Sequence, residues 1–111
     1  MEEKEVVLCA SSAYDKKFFL NEEFNRLPES IKDELKIMSV LFTEDVGGIL
    51  LLKFTEEGSL TLETVADEGD LLYDEIGAAL KVKKIRAEHV DTFEALEMFY
   101  KVFFLHEAAD I

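Results

Sequence analysis

Five carboxylates crowd the nine residues Asp67-Glu68-Gly69-Asp70-Leu71-Leu72-Tyr73-Asp74-Glu75, and hard cations such as calcium or magnesium are bound by such oxygens. A calcium loop, however, needs acids at alternating positions with glycine sixth, whereas here glycine is third and apolar residues interrupt the acids. The order fits a helix start better, because carboxylates in a first turn complement the positive helix end. Lys81, Lys83, Lys84 and Arg86 follow, where they complement the negative end or offer a small anion a basic patch. That run lacks interleaved aromatics and a glycine-rich loop, so a solvated helix end is the simpler reading. His89 precedes Asp91 by two residues and His106 adjoins Glu107, but neither histidine has the partners at zinc-ligand spacing that a metal site needs. Cys9, the one cysteine, lies in an apolar run where burial raises a thiol pKa, so it reads as core rather than nucleophile. Gly47-Gly48 joins a helix to a strand, the reverse of a phosphate-binding turn. Pairs such as Glu22-Glu23 and Glu44-Asp45 are adjacent in sequence, which does not place them across a substrate. No catalytic residue, cofactor site or metal site is expected.

The charge narrows the partners. Twelve basic and 25 acidic residues give a net charge of −13, which argues against nucleic acid or an anionic membrane as partner. The acidic start, Met1 to Glu5, lacks the basic opening of a secretory signal, and no apolar run is long enough to span a membrane. These features predict a soluble, cytoplasmic protein. At 111 residues with 49% hydrophobic content, residues 1–111 are expected to form one globular domain.

The elements that would position these residues follow from periodicity. Residues 5–10 and 17–21 read as a first hairpin around turn residues 11–16. A helix is expected from Pro28 or Ser30, with Ile31, Leu35, Met38, Leu41 and Phe42 on its apolar side and Gly47-Gly48 at its end. Residues 49–55 and 59–65 form a second hairpin around Glu56-Glu57-Gly58. In its return strand Leu60 and Leu62 alternate with Thr61 and Glu63, so one face is buried and the other wet. Asp67 opens the next predicted helix, with Leu72, Ile76, Ala79 and Leu80 on one face and Leu71, Ala78, Val82 and Ile85 beside them. Asp91 starts a last helix that runs to Leu105, His106 belongs to its final turn, and Ala108 to Ile111 are expected to fray. The order β-β-α-β-β-α-α indicates an α+β fold: a two-layer domain with a roughly four-stranded antiparallel sheet and helices on one face.

The last helix is apolar around most of its circumference, with Glu94, Glu97 and Lys101 forming one narrow polar stripe. A helix on a two-layer domain needs an apolar stripe of only about 100°. Other parts of the same chain or a second chain must cover the remainder. Phe99, Tyr100, Phe103 and Phe104 are the candidate anchors of a two-fold homodimer.

The segments Phe42-Thr43-Glu44-Asp45-Val46-Gly47-Gly48 and Asp70-Leu71-Leu72-Tyr73-Asp74-Glu75-Ile76-Gly77 resemble those of a family of small acidic bacterial proteins of unknown function. The resemblance implies a bacterial cytoplasmic protein and supplies no catalytic or binding residues. The sequence therefore leads to a non-enzymatic protein-interaction module, adaptor- or chaperone-like and homodimeric, able to hold a further protein partner. The alternative is a small-molecule-binding domain or enzyme with a pocket between sheet and helices, to which Tyr14, Tyr73 and Tyr100 could lend polar groups.

Overall fold

The computed structural model describes residues 5–106. Its elements are β1 (Val6–Ser12), β2 (Lys17–Leu20), a 3-10 turn (Glu22–Phe24), α1 (Glu29–Val46), β3 (Ile49–Phe54), β4 (Leu60–Val65), α2 (Glu75–Glu88) and α3 (Val90–Phe103). The four strands form one antiparallel sheet in the order β2-β1-β3-β4, so the fold is α+β with the expected element order. Each hairpin pairs its own strands, and the central β1–β3 pairing joins the two hairpins.

Side-chain alternation decides which sheet face is covered. Leu50, Leu52 and Phe54 of β3 point inward, as do their partners Ser11, Cys9, Leu60 and Leu62. On that face the Ser11 hydroxyl meets Thr43 of α1 at 2.8 Å, and Phe54 stacks on Tyr100 of α3 with centroids 4.3 Å apart. Leu8 is the extra residue of a bulge between Val7 and Cys9 and is buried. The bulge leaves two carbonyls for Asn21: its backbone N–H donates to Leu8 and its side-chain amide to Val7. Asn21 thereby ties the end of β2 to β1 and caps the 3-10 turn through the Glu23 N–H. Across the opposite face Phe19, Ala10, Leu51 and Glu63 form one row, and Glu63 bridges to Lys53 at 2.5 Å. The expected wet positions of β4 are on this side: Glu63 is exposed, whereas Leu60 is buried and Leu62 packs against the core.

Three helix boundaries differ from expectation. Pro28 is the residue before α1 rather than its first, and its extended ψ of 146° sets the entry angle. His89 serves both as the end of α2 and as the residue before α3, so α3 begins at Val90 instead of Asp91 and ends at Phe103. His106 consequently lies past the helix, at φ 58°. The residues expected to fray, Ala108 to Ile111, lie outside the described residues.

The largest correction concerns α2, which starts at Glu75 and not at Asp67. Gly69 takes φ 88°, a left-handed conformation that no α-helix can contain. The Asp70 carboxylate accepts the Leu72 N–H at 3.1 Å, a local bond that competes with helix formation. Asp74 is the actual N-cap, accepting the Gly77 N–H at 2.8 Å. Gly77 is in the first turn, and a Cβ there would meet the Asp74 carboxylate at 2.2 Å. The buried side of the helix is Ala78 and Ile85, with Val82 partly buried. Much of the expected apolar grouping is outside: Leu71 and Leu72, before the helix, are each 94% exposed, and on the helix Ile76 is 76% and Leu80 64% exposed.

Tyr14 pins the 66–74 segment to the first hairpin. Its hydroxyl accepts from the Asp67 N–H at 2.9 Å and donates to the Asp70 carboxylate at 2.5 Å. The Asp70 bond pushes the tyrosine pKa upward, because the neutral hydroxyl is the donor. Tyr14→Phe should therefore speed amide exchange at Asp67 and Leu72 while leaving Leu52, in the sheet centre, unchanged. Equal exchange in wild type and variant would show that this tether carries no local stability.

Candidate interaction surface

Two features are candidates for function: the α3 aromatics and the outer face of α2. Phe24, Phe54, Tyr100 and Phe104 form one stacked aromatic group, with Phe24–Phe104 at 4.7 Å and Tyr100–Phe104 at 4.9 Å. Phe24 enters this group because the Asn21-capped turn carries it beneath α3. Tyr100 is only 3% exposed, so it is core of its own chain. Phe99 and Phe104 are partly buried against the same core. Phe103 is 49% exposed, and the Arg26 guanidinium lies 5.2 Å from its ring centroid, within cation–π range. The wide apolar girth of α3 is thus explained largely within one chain. Of the four expected anchors, Phe103 presents the most surface.

The outer face of α2 has no such cover among the described residues. Ile76 and Leu80 are one turn apart, and Leu71 and Leu72 precede them in the loop before the helix. At the N-terminal end of this row stand Asp67, Glu68, Asp70, Asp74 and Glu75; toward its C-terminal end Lys83 and Lys84 are exposed. The inner flank of α2 is tied to its neighbours: Lys81 pairs with Asp45 of α1, and Arg86 donates to the Leu60 carbonyl at 3.3 Å. Glu97 of α3 accepts the adjacent Leu60 N–H at 2.7 Å, so side chains occupy both polar groups of that edge residue. Glu34 of α1 accepts from Thr92 at 2.8 Å and contacts His89 Nδ1 at 2.6 Å. Burial raises the Glu34 pKa, but the His89 and Thr92 bonds outweigh it, and the carboxyl titrates below its usual range. These links fix α2 as a rigid platform for its outward residues.

The other sequence candidates resolve individually. Cys9 is wholly buried, and desolvation pushes its thiol up to about 12 against a smaller opposing effect of the Ser39 hydroxyl, so it supplies no thiolate at neutral pH. Of the acids in 67–75, only Asp74 and Glu75 stand at the helix end; Asp70 is spent on the loop. Among the described residues, no three His, Cys, Asp or Glu side chains gather as a ligand set. The tyrosines do not converge either: Tyr14 clasps the loop, Tyr100 is core, and the Tyr73 ring lies against Gly48. Among the described residues, no helix is long and apolar enough to cross a membrane.

Comparison with known proteins places the chain. A family of unknown function, DUF6145, matches residues 5–108. The chain belongs to this family. The DUF6145 match takes in every strand and helix described above. No curated protein and no solved structure matches the chain.

Proposed function

We propose that this DUF6145 protein is a non-enzymatic protein-interaction module, adaptor- or chaperone-like, that acts as a homodimer paired through the outer face of α2. The observation that carries this reading is the exposure of Leu71, Leu72, Ile76 and Leu80 on one stretch of chain. Contiguous apolar patches on soluble proteins mark interaction sites more often than chance exposure. The occupant is a second copy because the charges flanking the row are complementary under two-fold symmetry. Residues 67–80 carry five acids and no base, a net of −5; residues 81–90 carry four bases against Glu88, a net of +3. Antiparallel pairing of two α2 helices, with the axis beside Leu80, sets the acidic end of each copy against Lys83 and Lys84 of the other. The attraction is local and offsets the repulsion between two chains of charge −13.

Sedimentation velocity across micromolar concentrations tests the reading. The wild type should be dimeric, and Leu80→Asp should dissociate it. Two leucines leave the interface, each contributing about 1.5–3 kcal/mol, so Kd should rise at least ~100-fold. Phe103→Asp, on α3, should leave the dimer intact. A monomeric wild type would end the proposal, and a dimer broken by Phe103→Asp but not Leu80→Asp would move the interface to α3.

A further inference from the structure

A second site lies on the opposite flank of α1. Glu34 and Asp45 turn one side of α1 toward α2 and α3. Lys36, Val40, Thr43 and Glu44 follow at i, i+4, i+7 and i+8 on the other side. Between this row and the first hairpin opens a cleft of about 780 Å³, lined also by Ser11, Ser12, Lys16, Lys17 and Phe18. Phe18, on the short edge strand β2, is only partly covered there. The volume falls within the range of about 300–1,000 Å³ usual for small-molecule sites.

The lining is unusual for this chain. Three lysines and one acid, Glu44, border the cleft, a local charge of +2 in a molecule of net charge −13. Among the described residues none of Lys16, Lys17 or Lys36 belongs to an ion pair, although acids outnumber bases about twofold. The floor is not asking for a proton. Thr43 lies within 3.3 Å of the Ser39 and Val40 carbonyls, to which it can donate, and the Ser11 hydroxyl then donates to Thr43. The exposed ammonium groups have no carboxylate partner among the described residues, and Phe18 and Val40 supply an apolar wall beside them.

We infer that this cleft binds a small organic anion carrying at least two negative charges, held by Lys16 and Lys36 with its apolar part against Phe18 and Val40. Lysines bind phosphoryl and carboxylate groups alike as point charges, and the lining does not choose between these two sources. The site shares no residue with the α2 face, so it stands or falls independently of the dimer.

The test is an amide ¹H–¹⁵N titration of the full chain with sodium pyrophosphate and, separately, with sodium citrate, sodium chloride holding ionic strength constant. Saturable shifts are expected at residues 11–18 and 36–47, with half-saturation at or below ~1 mM, about −4 kcal/mol. Two variants fix the assignment without endangering the fold. Lys16 sits at φ 53°, so Lys16→Gly relaxes the turn while removing a charge, and Lys36→Ala keeps a strong helix former at an exposed position. Each should weaken binding severalfold and the double variant at least tenfold, whereas Glu44→Gln should tighten it. Saturation by pyrophosphate alone identifies a phosphoryl ligand, and saturation by citrate alone a polycarboxylate. Shifts that never saturate with either salt, or that persist unchanged in the double lysine variant, overturn the site.

Discussion

Phe24→Ala should destabilise the protein by about 3–5 kcal/mol, the range for truncating a buried phenylalanine. Phe24 is fully buried and meets Phe54 at 5.6 Å, Phe99 at 6.3 Å, Tyr100 at 6.5 Å and Phe104 at 4.7 Å. Aromatic pairs add about 0.5–1.5 kcal/mol each beyond the area they bury. The ring reaches this position from a three-residue turn, so its neighbours cannot easily close over the cavity. Whole domains are stable by only about 5–15 kcal/mol, and this one change removes a large part of that margin. Phe19→Ala, on the open sheet face, should cost under about 1 kcal/mol. Urea denaturation of the two variants measures the difference; equal losses would mean that the aromatic group is not the keystone between sheet and α3.

How much of this was legible beforehand depended on where the deciding interaction lay. The hairpins were readable because β-formers alternate and Gly58 occupies the turn at φ 94°. Leu60 and Glu63 therefore took their expected sides. The start of α2 was misread because Asp67 and Asp74 are both plausible N-caps, and both precede helix-compatible spacing. What separates them is Gly69 at positive φ and the reach of Tyr14 from 53 residues away. Gly69 was a visible signal; the tyrosine contact was not, because it exists only in three dimensions. Leu71 and Leu72 consequently fall outside the helix, and Ile76 and Leu80 lie on its exposed side.

The α3 girdle shows the complementary limit. Its excess of apolar residues was plain, but Phe24 stood in a short segment with no period to mark it as a partner. The spare surface thus passed from α3 to α2. The lysine-lined cleft was invisible for a similar reason. Lys16 and Lys36 are 20 residues apart, and only the packing of α1 beside the first hairpin brings them to one opening.

The second large effect concerns the paired α2 helices. Lys83→Glu/Lys84→Glu should dissociate the dimer, because in the two-fold arrangement each mutated pair then faces the five acids of the partner's 67–75 segment. Asp67→Lys/Glu68→Lys/Glu75→Lys should dissociate it as well, because it turns the net charge of that segment from −5 to +1 opposite Lys83 and Lys84. All five residues are exposed, and neither set includes the Asp74 cap, so both variants should keep the fold. Like-charge contacts across an interface cost enough to lower affinity at least ~10-fold. Mixing the two variants at equal concentration is the most direct measurement, read by sedimentation velocity at low micromolar protein. Two-fold pairing through α2 predicts that each variant alone sediments as a monomer and the mixture as a dimer, since both contacts regain opposite charges. A mixture that stays monomeric, or either variant remaining dimeric alone, would contradict the interface.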